Sequence, residues 1–299
     1  MRTTRTVAAA TVAVLALTGL TACSTAQKAG NEAAHAAAGL PADALAALGL
    51  ANTHLQSENS AKITGTVQQP GQAAPEHMSG AMAWGSGARF TGTMAGAPGM
   101  SQFSSDGTVP FLMTGGAMYM KLTNPTTVSQ LGGKQWMKLD FAEIAALSKN
   151  AQASSLGAGM DNMLKQMSPV QTVRAVSADK GVHSLGAETM DGQQTTHYTG
   201  HLTLDQILAA MPGLTASQRA TLGAADTKIG LTGEDVDIWL NDQALPVRVR
   251  EHATTGKGAM DIDRHFSDYG VPVSVTVPSA ADTLDLAAML KKAEAAAKS

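Results

Sequence analysis

The sequence holds a single cysteine, Cys23, in 299 residues. No disulfide can form within the chain, so the fold must be held by its core. Aromatic residues are scarce, at 4%, and charged residues make up only 15%. No basic stripe runs along the sequence, which argues against nucleic acid as a partner. Signatures of catalysis are missing as well. The segment WGSGA sets Ser86 between glycines, but without the spacing of a nucleophile elbow. There is no H-E-x-x-H, no Walker loop, and no G-x-G-x-x-G at a strand-to-helix turn. His197 and His201 stand four apart on an expected strand, on one side of it but about 13 Å from each other, too far to share a metal. They read as solvent-facing. The methionines of MSGAM and MAGAPGM lack His or Cys at ligand spacing. The acid pairs Glu234-Asp235 and Asp261-Asp263 read as solvated strand edges. No enzymatic activity, metal or cofactor is expected, and a hydrolase would need a Ser/His/acid cluster that the sequence does not show.

What is present begins at the N-terminus. MRTTRT carries two arginines and no acid, and residues 7–22 carry no charge. That is the n-region and h-region of a secretory signal. The apolar run is shorter than the roughly 20 residues of a membrane-spanning helix. It ends in Leu20-Thr21-Ala22-Cys23, which matches the lipobox of bacterial lipoproteins, where the cysteine becomes the acylated N-terminus. Acyl chains there would supply stable anchoring, each buried methylene contributing about 0.8 kcal/mol. The expected organisation is a lipoprotein signal peptide over 1–22, a flexible tether over 23–40 and a single domain over 41–299. The expected location is the outer face of a bacterial plasma membrane. Loss of the signal removes two arginines, leaving 19 basic residues against 24 acidic ones.

Apolar residues make up 44% of the chain, and 16 of them are methionine. Methionine fills irregular space and adapts to varied shapes. Residues 41–56 read as a helix started by Pro41. Residues 61–69, 78–86 and 88–96 read as short strands, FLMTGGAMYMKL as a hairpin around Gly115-Gly116, and KQWMKLD as a further strand. FAEIAALSKN, GAGMDNMLKQMS and VQTVRAVSAD read as helices, with a break at Ser168-Pro169. Strands then return in VHSLGAETM and QTTHYTGHL, joined at Asp191-Gly192, and two short helices follow. Four strands are expected to close the sheet: DVDIWL, LPVRVREH, AMDIDRHF and VPVSVTV. A last helix is expected from Ser279. In these strands aliphatic and polar residues alternate, so one face of a large antiparallel sheet is apolar and the other is wet. Helices, a ligand or both must cover the apolar face.

HYTGHLTLDQILAAM, DVDIWLNDQALPVRVREH and FSDYGVPVSVTVPSAADTLDL, with MYMK and GGKQWMKLD upstream, resemble the actinobacterial LppX/LprAFG lipoprotein family. The resemblance covers most of residues 60–290. It implies an α+β fold of LolA/LolB type, a curved antiparallel sheet forming an open half-barrel over helices. It also implies a cavity between sheet and helices for acylated lipids or glycolipids, which members are proposed to carry across the cell envelope. On that basis Met118, Met120, Met137, Ile238, Val247, Val249 and Val273 are candidates to line the cavity. The alternative is a structural or sensing lipoprotein with a filled core. Its polar face, with Trp136, Tyr119 and Trp239, would then meet another envelope protein.

Overall fold

The computed structural model describes residues 41–85, 87–147, 167–211 and 214–297. Cys23, the expected signal peptide and tether, Ser86 and most of the expected helix GAGMDNMLKQMS lie outside the described residues.

Helix α1 (Pro41–Glu58) comes first. Ala44, Leu48, Ala51 and Leu55 recur every three or four residues and are all fully buried, so the helix presents one narrow apolar stripe. Strands β1 (Ser60–Gln68), β2 (Glu76–Ala83), β3 (Arg89–Ala95), β4 (Thr108–Thr114) and β5 (Ala117–Lys121) follow. Then come α2 (Pro125–Gln130), β6 (Trp136–Asp140), α3 (Phe141–Leu147), α4 (Pro169–Ser177), β7 (His183–Met190) and β8 (Gln193–Thr203). Two helices, α5 (Leu204–Ala210) and α6 (Ala216–Lys228), precede β9 (Gly233–Asn241), β10 (Pro246–Thr255) and β11 (Gly258–Ser267). The described chain ends with β12 (Thr283–Asp285) and α7 (Leu286–Ala297).

Local sequence explains the boundaries. Gly115-Gly116 and Asp191-Gly192 all take positive φ, as a tight two-residue hairpin turn requires. Ser168 caps α4 by accepting from the Val170 N–H, with Pro169 in the first helical turn. Thr203 and Thr215 start α5 and α6 in reciprocal capping boxes with Gln206 and Gln218.

The twelve strands of the described residues form one open sheet, in the order β12-β6-β5-β4-β3-β2-β1-β11-β10-β9-β8-β7. Neighbours are antiparallel except β12, which joins β6 in parallel. Helix α4 packs on β8 and β10 and against α1, so these two helices sit on the inward face of the β7–β10 end. Gly80 and Gly92 face each other across β2 and β3. A Cβ on Gly80 would stand 2.3 Å from the Thr91 carbonyl oxygen, and one on Gly92 2.1 Å from that of Ser79. The bare backbone lets the two strands approach closely, and the Phe90 ring lies over both glycines and stacks on Phe111 at 4.7 Å.

The expected strand VPVSVTV is not in the sheet. Pro272 and Pro278 lack N–H donors, so the segment cannot complete a ladder. It runs instead across strand ends. Ser60 Oγ donates to the Val271 carbonyl at 2.7 Å, and Arg89 Nε to that of Val273 at 2.8 Å. The last helix also begins later than expected. Ser279 caps a single 3₁₀ turn, β12 follows, and the helix starts only at Leu286.

Candidate functional site

Cross-strand register sorts the residues that face inward. On β8, β9 and β10 they include Tyr198, Leu202, Val236, Ile238, Leu240, Val247, Val249 and Ala253, all buried. They meet Val170, Val173 and Val176 of α4. On β2 to β6 the inward positions hold seven methionines: Met78, Met82, Met94, Met113, Met118, Met120 and Met137. Phe90, Val109, Phe111 and Leu139 lie among them. The inward positions of β8 to β10 hold none.

The expected lining residues therefore fall into three places. Met118, Met120 and Met137 come together: Met120 pairs with Phe111 on one side and Met137 on the other, and Met118 with Met113 and Leu139. Ile238 and Val249 are direct cross-strand partners on β9 and β10. Val247 is buried near them, beside a register shift between Pro246 and Arg248. Val273 is buried in the segment that crosses the strand ends. Met118 and Met120 are each only 7% exposed, so this face is filled in the present conformation.

The inward face also carries charge that sequence reasoning missed. Glu234, Glu251 and Arg264 occupy the inward positions of β9, β10 and β11. Arg264 Nη2 pairs with Glu251 Oε1, and the two side chains are 7% and 13% exposed. Thr172 of α4 donates to Glu251 Oε1 at 2.8 Å and lies 3.4 Å from Arg264 Nη2. The pair thus ties α4 to the sheet. Burial, reinforced by the Glu251 carboxylate, pushes the Glu234 pKa up to about 8 despite Arg264 nearby. The expectation that Glu234-Asp235 is a solvated edge holds only for Asp235, which is exposed beside His201 at 2.8 Å; Glu234 faces inward. The signal was legible in parity: Glu234 shares its side with Val236 and Ile238, Glu251 with Val249, and Arg264 with Ile262 and Phe266.

The outward face of β8 to β11 is polar and ordered. His201 is exposed, as expected, but His197 is not. Its ring stacks on Trp239 at 4.2 Å, with Asp237 2.8 Å from Nε2 and Glu188 3.2 Å from Nδ1. The hydrogen bond with His197 is the main reason the Asp237 pKa lies below the usual carboxylate range. Arg248 lies 4.8 Å from the Trp239 ring centre and pairs with Asp263. The aromatic ring expected from Trp136, Tyr119 and Trp239 does not assemble. Tyr119 and Trp136 sit on β5 and β6, while Trp239 is on β9, beyond six intervening strands from β5. Among the described residues no cluster of His, Cys, Asp or Glu is placed to hold a metal ion.

No family model matches the chain. An uncharacterized 31.2 kDa protein from the rplA–rplJ intergenic region of Streptomyces griseus is 29% identical over 239 residues, 78% of this chain and 76% of that protein. A candidate lipoprotein of Streptomyces coelicolor, SCO4650, is 30% identical over 161 residues, 54% of this chain and 46% of its own length. The crystal structure of LprF from Mycobacterium bovis superposes with a TM-score of 0.50 at 16% identity, covering 81% of this chain and 99% of LprF. At that identity the likeness shows the fold. The open antiparallel sheet over helices is the architecture of LprF, in agreement with the resemblance to the LppX/LprAFG lipoproteins.

Proposed function

We propose that this chain, which shares the fold of LprF, is a membrane-anchored lipoprotein that holds acylated lipid or glycolipid and catalyses no reaction. Its location would be the outer face of the plasma membrane, with Cys23 acylated. One observation carries the reading: the inward face of β2 to β6 is a continuous apolar surface built largely of methionine. Removing alkyl surface from water against such a face gives about 25 cal/mol per Å² and requires no polar partner. Methionine side chains can move aside at little cost, so a filled face can still admit a chain. The tight burial of Met118 and Met120 favours a second reading, a closed core whose outward face meets an envelope protein.

Native mass spectrometry of the full chain, with lipid extraction, separates the two. Acyl species near one per chain, beyond the anchor itself, are expected. A clean mass and no uptake of fluorescent fatty-acyl probes would leave the second reading. Metabolic labelling with palmitate, lost in Cys23→Ser, tests the anchor.

A further inference from the structure

The outward face of the sheet changes character where β11 meets β1. On β8 to β11 the outward positions alternate in charge. His201, Asp235, His252 and Asp261 form one cross-strand row. Beyond that boundary, on β1 to β3, the outward positions are mostly hydroxyls and small groups, with His77 among them and Lys62, Gln68 and Arg89 near the strand ends. A cleft of about 370 Å³ opens at the junction. Two rows of side chains line it. His265, Thr64, Ser79 and Thr93 follow one another across four strands, and Asp263, Thr66, His77 and Ala95 do so in the next row.

The charged wall of this cleft is already committed. Arg248 holds Asp263 through Nε at 2.8 Å and through Nη2. His265 Nδ1 lies 2.5 Å from Asp191, and its Nε2 lies 3.4 Å from Asp263. By contrast, the hydroxyls of Thr64, Thr66, Ser79 and Thr93 bond no other group among the described residues. They stand on a lattice set by the sheet, about 4.8 Å apart between strands and about 6.7 Å apart along one. Hydroxyls on opposite edges of a six-membered sugar ring are spaced on that scale. Each protein hydroxyl can both donate and accept, as each sugar hydroxyl can. Apart from the His77 imidazole, no basic side chain of the cleft is without a partner, and its lining holds no Trp, Tyr or Phe; Met78 and Ala95 are its apolar side chains.

We propose that this cleft binds a neutral saccharide. It opens on the outward face of the sheet, although Met78 reaches its lining, and it does not depend on the lipid reading. The sugar could be the head group of a glycolipid or part of a wall polysaccharide; both present the same ring hydroxyls. Without an aromatic platform the affinity for one ring is weak, with Kd about millimolar.

Saturation-transfer NMR on the full chain tests it, with methyl glucoside, methyl galactoside, methyl mannoside and their disaccharides at about 10 mM. Transfer to the ring protons of at least one neutral sugar is expected. The double variant Thr64→Val/Thr93→Val keeps β-branched side chains and removes two hydroxyls. With an unchanged melting curve it is expected to weaken binding about tenfold, and Thr93→Ser alone to retain it. Longer soluble oligosaccharides binding better than glycolipid vesicles would assign the polysaccharide source; the reverse order would assign the head group. No transfer from any sugar, or transfer unchanged in the double variant, would overturn the proposal. Acyl occupancy is read separately by mass, so failure of either reading leaves the other standing.

Discussion

The two ends of this one sheet solve the same problem with different residues. From β8 to β10 the inward face is Val, Ile and Leu under α1 and α4, and beside it an Arg264–Glu251 pair is tied to Thr172. From β2 to β6 it is methionine and phenylalanine over a pair of facing glycines. Branched aliphatic side chains have few rotamers and interlock into one arrangement. Methionine has three rotatable bonds and many arrangements of similar energy. On the proposed lipid-binding reading, one end stays closed and the other repacks around a guest.

The comparison can be broken at the closed end first. Arg264→Ala leaves Glu251 buried without its cation, and a loss of about 3–5 kcal/mol in urea unfolding is expected. The double change Arg264→Met/Glu251→Leu is expected to recover most of that loss, because two apolar groups replace a whole buried pair. At the adaptable end, Gly92→Ala drives a methyl into the Ser79 carbonyl and under the Phe90 ring. About 1–3 kcal/mol should be lost, read as a lower melting temperature.

A third test uses pH. Glu234 keeps its proton in the folded chain up to about pH 8, while a free glutamate loses it near 4.5. Between those values the folded state binds more protons than the unfolded one. Stability therefore falls as pH rises through that window, by up to about 1.4 kcal/mol per pH unit, and levels off above it. Glu234→Gln is expected to abolish this slope in denaturation measured from pH 4 to 9.

The smallest effects on stability sharpen the contrast most. Ile238→Val should cost about 0.5–1.5 kcal/mol and leave acyl-probe uptake unchanged. Met118→Leu and Met120→Leu together should cost a similar amount but shift the preferred chain length of fluorescent fatty-acyl probes.

Much of this architecture was legible in the sequence because the hairpins carry their own instructions. Asp191-Gly192 and Gly115-Gly116 can take the φ values a tight turn needs, and the alternation in β9, β10 and β11 announces its faces. VPVSVTV misled because alternation alone does not say whether a neighbouring strand exists. Val271, Val273 and Val275 still alternate with exposed residues, but its prolines keep it from a ladder. His197 was misread because its packing depends on the ring of Trp239, 42 residues away on β9, with Glu188 across the β7–β8 hairpin closing the other side. The inward charges of Glu234, Glu251 and Arg264 were visible as breaks in apolar parity. Their mutual contact depends on register between three strands, which no single strand encodes. The glycine pair at Gly80 and Gly92 is of the same kind: each is ordinary alone, and only the pairing of β2 with β3 sets them face to face.

The measurement that bears most directly on the difference between the two ends is photo-crosslinking of the full chain with a diazirine fatty acid, followed by peptide mapping. Label is expected on peptides of β2 to β6 that contain Met82, Met113, Met118 or Met120, with little on β9 and β10. Label concentrated at Ile238 and Val249, or no specific label at all, would contradict it.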